Sequence, residues 1–209
     1  MNTRYMKAAS LLMLMSLGLS ACAPVMLAGF AGTAMVASDR RTSGAQLEDE
    51  TIELRGSARI RDALGERAHV NTTSYNRQVL LSGEVASERD KQIVEGLLEK
   101  LENVKSVVNE LSIMQPASLS SRSNDLLLSA KVKASLVDSR DLFANAFKVV
   151  VERGTVYVMG RVTQREATSA TNVIRNVNGV NKVVRLFDII SEDELRNLLP
   201  PPPADKAQK

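Results

Sequence analysis

The 209-residue chain has no tryptophan, three tyrosines, four phenylalanines, one histidine and one cysteine. Each scarcity closes a class of function. One thiol and one imidazole cannot build a Cys/His zinc cluster, and the lone His69 reads as a surface or half-buried residue beside a strand rather than a general base. With 3% aromatic residues and no concentrated basic patch, the chain has little with which to stack bases or follow a phosphate backbone, so nucleic-acid binding is not expected. No glycine-rich loop of phosphate-cradling spacing precedes a helix, and "GFAG" at 29–32 lies outside the region expected to fold. Carboxylates such as Glu48, Asp49, Glu50 and Glu53 are interspersed with bases and read as a solvated face. The expectation is a protein without catalysis, cofactor or metal.

What is present begins with a leader. Arg4 and Lys7 precede an uncharged run from Ala8 to Ala21, which ends in small residues directly before Cys22. These are the three regions of a secretory signal, placed at residues 1–21. An intermolecular disulfide or a free thiol would not explain a signal that stops on the cysteine. An uncleaved span is the stronger rival, since no charge appears from Ala8 to Ser38, but Pro24, Gly29 and Gly32 interrupt it. Cleavage removes two bases and no acid, taking Lys+Arg from 27 to 25 against 24 Asp+Glu. The mature chain is then nearly neutral.

The sequence Leu19-Ser20-Ala21-Cys22 resembles the lipobox of bacterial lipoproteins. That resemblance implies a diacylglycerol on the Cys22 thiol, cleavage just before it, and acylation of the freed amine by a chain such as palmitate. Ala23, rather than Asp, follows the cysteine, which resembles an outer-membrane destination with the protein on the periplasmic face. Residues 23–38 are apolar, small and Gly-punctuated, a composition that suits equally lying against the membrane or packing on the folded part. The polar "DRRTSGAQLEDE" after them reads as a tether, so residues 22–47 form a lipidated N-terminus and linker. Residues 191–209 contain four consecutive prolines and a polar end, and a disordered tail is expected there.

Between these ends the chain repeats itself. "QVLLSGEV" at 78–85 is echoed by "TVYVMGRV" at 155–162, "NVKSVVNELSI" at 103–113 by "GVNKVVRLFDI" at 179–189, and "ARIRDAL" at 58–64 by "AKVKASL" at 130–136. The offset runs 72, 77, 76 on this alignment, which puts five extra residues around "DSRDL" in the second copy. Alternation and turn residues predict a two-strand hairpin in each copy. Ser87 with Asp90, and Thr163 with Glu166, have capping-box spacing ahead of helices carrying Val94, Leu98 and Ala170, Ile174 at helical intervals. Asn103 and Gly179 stand where those helices end in a left-handed residue. A last strand closes each copy.

The order helix, strand, strand, helix, strand, with Gly-x-Val after the second strand, is similar to the BON domain. Behind a lipobox it resembles the double BON-domain outer-membrane lipoproteins, a family associated with division, outer-membrane stress and lipid binding. The resemblance implies an α+β fold of two tandem αββαβ domains, at 48–115 and 123–190, each a three-stranded mixed sheet with two helices. A core of about 65 residues is marginal alone, so the two are expected to pack on one another.

The two opening helices differ. In the second, Leu128, Val132 and Leu136 form a core stripe, while Leu126, Leu127, Ala130, Ala134 and Val137 fall broadly opposite with Lys131 and Lys133 on the shoulders. An apolar outer face edged by lysines suits a helix lying in a membrane interface. In the aligned first helix, Arg55 stands for Leu127, Asp62 for Ala134, and Gly56 for Leu128. The alternative is that Leu126, Leu127 and Val137 pack on the first domain or on residues 142–147. The family resemblance implies the former: anionic phospholipid bound through this helix, with the membrane held by acylated Cys22, in support of outer-membrane integrity. A periplasmic protein-interaction module for envelope assembly or division machinery is the other reading.

Overall fold

A computed structural model describes residues 39–198. The signal, Cys22, the apolar stretch after it and the four prolines lie outside the described residues. Among the described residues no helix is long and apolar enough to cross a membrane.

The first domain comprises α1 (Ser43–Leu64), β1 (His69–Tyr75), β2 (Gln78–Val85), α2 (Glu88–Glu99), β3 (Ser106–Asn109) and β4 (Ser112–Ile113). The second comprises α3 (Leu119–Asp138), β5 (Phe147–Glu152), β6 (Thr155–Thr163), α4 (Gln164–Arg175) and β7 (Lys182–Ile190). In each, the hairpin is antiparallel and the last strand runs parallel to the middle one. Strands β3 and β4 keep the same register on β2, so they are one strand whose ladder lapses at Glu110 and Leu111. The expected αββαβ order and mixed sheets are therefore present twice.

Each hairpin turns through two left-handed residues, Asn76 and Arg77 in one, Arg153 and Gly154 in the other. This is the tight turn whose twist matches the strands. Holding non-glycine residues there costs energy. A carboxylate from the opening helix offsets it. Asp49 accepts the backbone N–H groups of Asn76 and Arg77 at 2.7 and 2.8 Å, and Asp125 those of Arg153 and Gly154, both at 2.9 Å. Burial opposes charge on Asp49, but bonds from Ser74, the Arg77 N–H and Arg41 outweigh it and hold its carboxyl below the usual range.

The shared role of Asp49 and Asp125 corrects the repeat alignment. The opening helices match at an offset of 76, not 72, so Ile52 stands for Leu128 and Gly56 for Val132. The five extra residues around "DSRDL" shrink to one. A helix re-presents the same face after four residues, so a slip of one turn preserves the apolar pattern and is invisible to it. Asp49 and Glu53 are likewise not a solvated face. Asp49 is buried at that turn, and Glu53 pairs with Lys148 of the second domain at 2.6 Å.

One face of each sheet carries its own helices. Val79, Leu81, Val94 and Leu98 share a core with Ile52 and Ile60, and Val156, Val158, Ala170 and Ile174 share another with Val132 and Leu136. The other faces meet each other through Tyr75, Leu80, Tyr157 and Met159, each at most 5% exposed. The two middle strands are thus buried on both sides, and the expected packing of domain on domain is sheet against sheet.

Both ends of the folded region differ from expectation. The stretch read as a tether is the start of α1: Thr42 caps it by accepting from Ala45 N–H, and Arg40 is buried against the second domain. At the other end a short helix, α5 (Glu192–Leu198), buries Leu195 in what reads as a tail. Its apolar signal is Leu195 and Leu198 among charges, too little to mark a helix from periodicity.

Candidate functional site

Helix α3 is fixed in rotation as well as position. Ser118 caps it by accepting from Ser121 N–H at 3.2 Å, Asp125 ties it to the β5–β6 turn, and Leu128, Val132 and Leu136 anchor its inner face. The 3, 4, 4 spacing of these buried residues determines what faces outward.

All seven residues proposed from sequence, Leu126, Leu127, Ala130, Lys131, Lys133, Ala134 and Val137, are exposed and share the outer side of α3. Leu126 is 73%, Leu127 63% and Val137 68% exposed, so they do not form the domain interface that was the alternative. At about 100° per residue the five apolar positions fill one arc of about 100°, with Lys133 just beyond one edge and Lys131 beyond the other. A recess of about 430 Å³ opens beside Leu127 and Lys131, with Asn124, Arg153 and Asn178 among its walls. One member was missed. Leu119, 81% exposed, lies on the same stripe seven residues before Leu126. The helix begins at Leu119, ahead of the domain start expected at residue 123, and Ser118 followed by Ser120 and Ser121 is the capping signal that marks it.

The corresponding face of the first domain is broken by charge. At the corrected offset, Glu50, Thr51, Leu54, Ala58 and Arg61 occupy the places of Leu126, Leu127, Ala130, Ala134 and Val137. Leu47 and Leu54 are 65% and 73% exposed there, but Glu50 and Arg61 lie along one edge of their arc and Arg55 stands beyond the other. The asymmetry expected between the domains holds, although with different residue pairs.

The lone histidine sits elsewhere. His69 Nδ1 lies 3.0 Å from Glu84 Oε2, and Glu84 Oε1 accepts from Arg153 Nε of the second domain at 2.7 Å. Burial opposes charge on Glu84, but Arg153, the Ala117 N–H and His69 hold its carboxyl below the usual range. Glu152 is pushed the other way, by burial and by the charge of Glu84.

The BON domain model matches the chain at residues 49–115 and 124–191. Among known proteins, the chain is 34% identical over 171 residues to the outer membrane lipoprotein DolP of Haemophilus influenzae, spanning 81% of this chain and 89% of that one. It is 30% identical over 154 residues to a 21 kDa hemolysin of Actinobacillus pleuropneumoniae, spanning 73% and 79%. A solved structure of CdsD, a structural protein of the type III secretion system of Chlamydia trachomatis, shares 17% identity over 73% of this chain and 96% of that one, at a TM-score of 0.29.

Proposed function

The chain belongs to the double BON-domain outer-membrane lipoproteins that include DolP, and from that premise we propose that its second domain binds anionic phospholipid through the outer face of α3. In this reading Cys22 carries the acyl anchor, the protein faces the periplasm, and the task is non-catalytic support of outer-membrane integrity, including at division. The observation that carries the lipid assignment is the exposed arc of Leu126, Leu127 and Val137 between two lysines. Water is a poor neighbour for such a face, and a bilayer interface satisfies all of it: the leucines enter the acyl region while the ammonium groups meet anionic headgroups. The adjoining recess, with Arg153 and Asn124 in its walls, offers room for a headgroup.

Vesicle flotation tests the reading, using a form that starts at Asp39 and so lacks the anchor. It should bind vesicles containing phosphatidylglycerol and ignore purely zwitterionic ones. Leu127→Glu should abolish binding without lowering the thermal midpoint, and removing Lys131 and Lys133 should cost about 1 kcal/mol each, less as salt rises. Indifference to anionic vesicles would turn the reading toward a protein partner on the same face. For the anchor, Cys22→Ser should leave an uncleaved precursor, and an unmodified Cys22 thiol in the mature membrane-bound protein would overturn that part.

A further inference from the structure

We infer that His69, Glu84 and Glu152 form a binding site for a borderline divalent transition-metal cation, zinc above all, at the seam between the two domains. Each contributes one donor atom, and the three atoms lie within 4.8 Å of one another. His69 and Glu84 are direct cross-strand partners on β1 and β2, and Glu152 ends β5 in the other domain.

The geometry fits a metal in several respects. Donors about 2.0–2.2 Å from zinc stand roughly 3–3.5 Å apart in its coordination sphere. His69 Nδ1 and Glu84 Oε2 are already 3.0 Å apart. A metal between them takes the place of the proton that now bridges them. Glu84 is held for that task from its far side, where Arg153 occupies Oε1 and leaves Oε2 to face the histidine. This outer hydrogen bond fixes a ligand's orientation as metal sites require.

Glu152 supplies the second observation. It accepts a bond from Asn71 at 3.2 Å but is paired with no cation among the described residues, although it is half-buried and close to another carboxylate. Arg153 compensates Glu84, so the carboxylate of Glu152 is the charge left over at the cluster, and a bound cation would offset it. One nitrogen and two oxygen donors suit zinc better than magnesium or calcium, which take oxygen alone. A solvent-open cleft of about 300 Å³, with His69, Asn71, Arg122, Asp125, Ser129 and Glu152 among its walls, gives an entry path and room for water as a further ligand. With two ligands from the first domain and one from the second, the ion would join the domains beside the Arg153–Glu84 pair.

Titration calorimetry of the untagged full-length chain in detergent, with zinc chloride as the probe, tests this. One zinc should bind per chain, with magnesium chloride giving no heat above dilution. Glu152→Gln, which keeps the Asn71 contact, and His69→Ala should each weaken zinc at least about tenfold, the smallest loss seen even for outer-shell changes. Zinc at a fixed concentration should raise the thermal midpoint of the parent protein more than that of Glu152→Gln, so a variant that folds normally still decides the matter. No uptake at millimolar zinc, or uptake unchanged in both variants, would overturn the assignment.

Discussion

Arg40 reaches across to a residue 126 positions later, donating from its two terminal nitrogens to both carboxylate oxygens of Glu166 at 2.7 Å each. Both side chains are at most 3% exposed. Glu166 also accepts the Thr163 N–H, completing the capping box of α4, and Arg40 donates to the Arg161 carbonyl. The segment entering the first domain is thereby clasped to the second.

The clasp makes a pH-dependent contribution to stability. Burial opposes charge on Glu166, yet Arg40 and the Thr163 N–H hold its carboxyl below the usual value of 4.5. A depressed carboxylate stabilises the fold above its ordinary value and loses that contribution as pH falls through the lowered one. Arg40→Ala leaves the carboxylate buried and unpaired, and should cost about 3–5 kcal/mol at neutral pH. Replacing the pair by Met and Leu should cost much less. Urea denaturation across the acid range checks both, and the gap between parent and Arg40→Ala should close as Glu166 protonates.

The turn carboxylates give a second test. Asp49→Asn keeps the shape but removes the charge that two N–H groups, Ser74 and Arg41 share, and should destabilise by about 2–3 kcal/mol. Its effect should likewise fade at low pH, since Asp49 is held below 3.8. Asp125→Asn should cost less, having two N–H bonds and, among the described residues, no salt bridge. Equal losses in thermal and urea melts would count against this ordering.

What the sequence made legible was local: strand alternation, the Thr163–Glu166 capping box, the face of α3, and left-handed Asn103 and Gly179, although these stand in the turns four residues beyond helices that end at Glu99 and Arg175 rather than capping them. Each depends on neighbours within a few residues. What it hid depended on distant partners or on ambiguous periodicity. Arg40 looks like linker because its partner lies 126 residues on. Asp49 looks solvated because nothing nearby reveals the turn it serves. The one-turn slip between the opening helices left no trace in the apolar pattern, and only the matched turn contacts of Asp49 and Asp125 resolve it.

Two glycines should respond very differently to alanine. Gly83 has φ +110°, and a Cβ there would stand 2.1 Å from the His69 carbonyl oxygen, part of a strand that cannot recede. Gly83→Ala should cost at least about 2–3 kcal/mol. At Gly56 the closest atom is Leu98 Cδ1 at 2.6 Å, the mobile end of a side chain, and alanine gains helix propensity of about 1 kcal/mol. Its net loss should stay near 1 kcal/mol. Chemical denaturation of the two single variants side by side gives the comparison.

Leu119 offers the sharpest separation of membrane contact from folding. At 81% exposure it contributes almost nothing to the core, so Leu119→Ser should leave the melting temperature unchanged. If the α3 stripe enters a membrane, the same change removes one inserted leucine and should weaken anionic-vesicle binding by up to about 1.5–3 kcal/mol. Leu54 on α1 is the matched control, being 73% exposed and equally apolar. Glu50 and Arg61 flank it on one side of the helix and Arg55 on the other, so a membrane approached on that face would have to strip water from charges before Leu54 could insert. Leu54→Ser should therefore leave vesicle binding intact. Equal weakening by the two substitutions would mean that the first domain also meets the membrane, and the division of labour argued from the opening helices would fall.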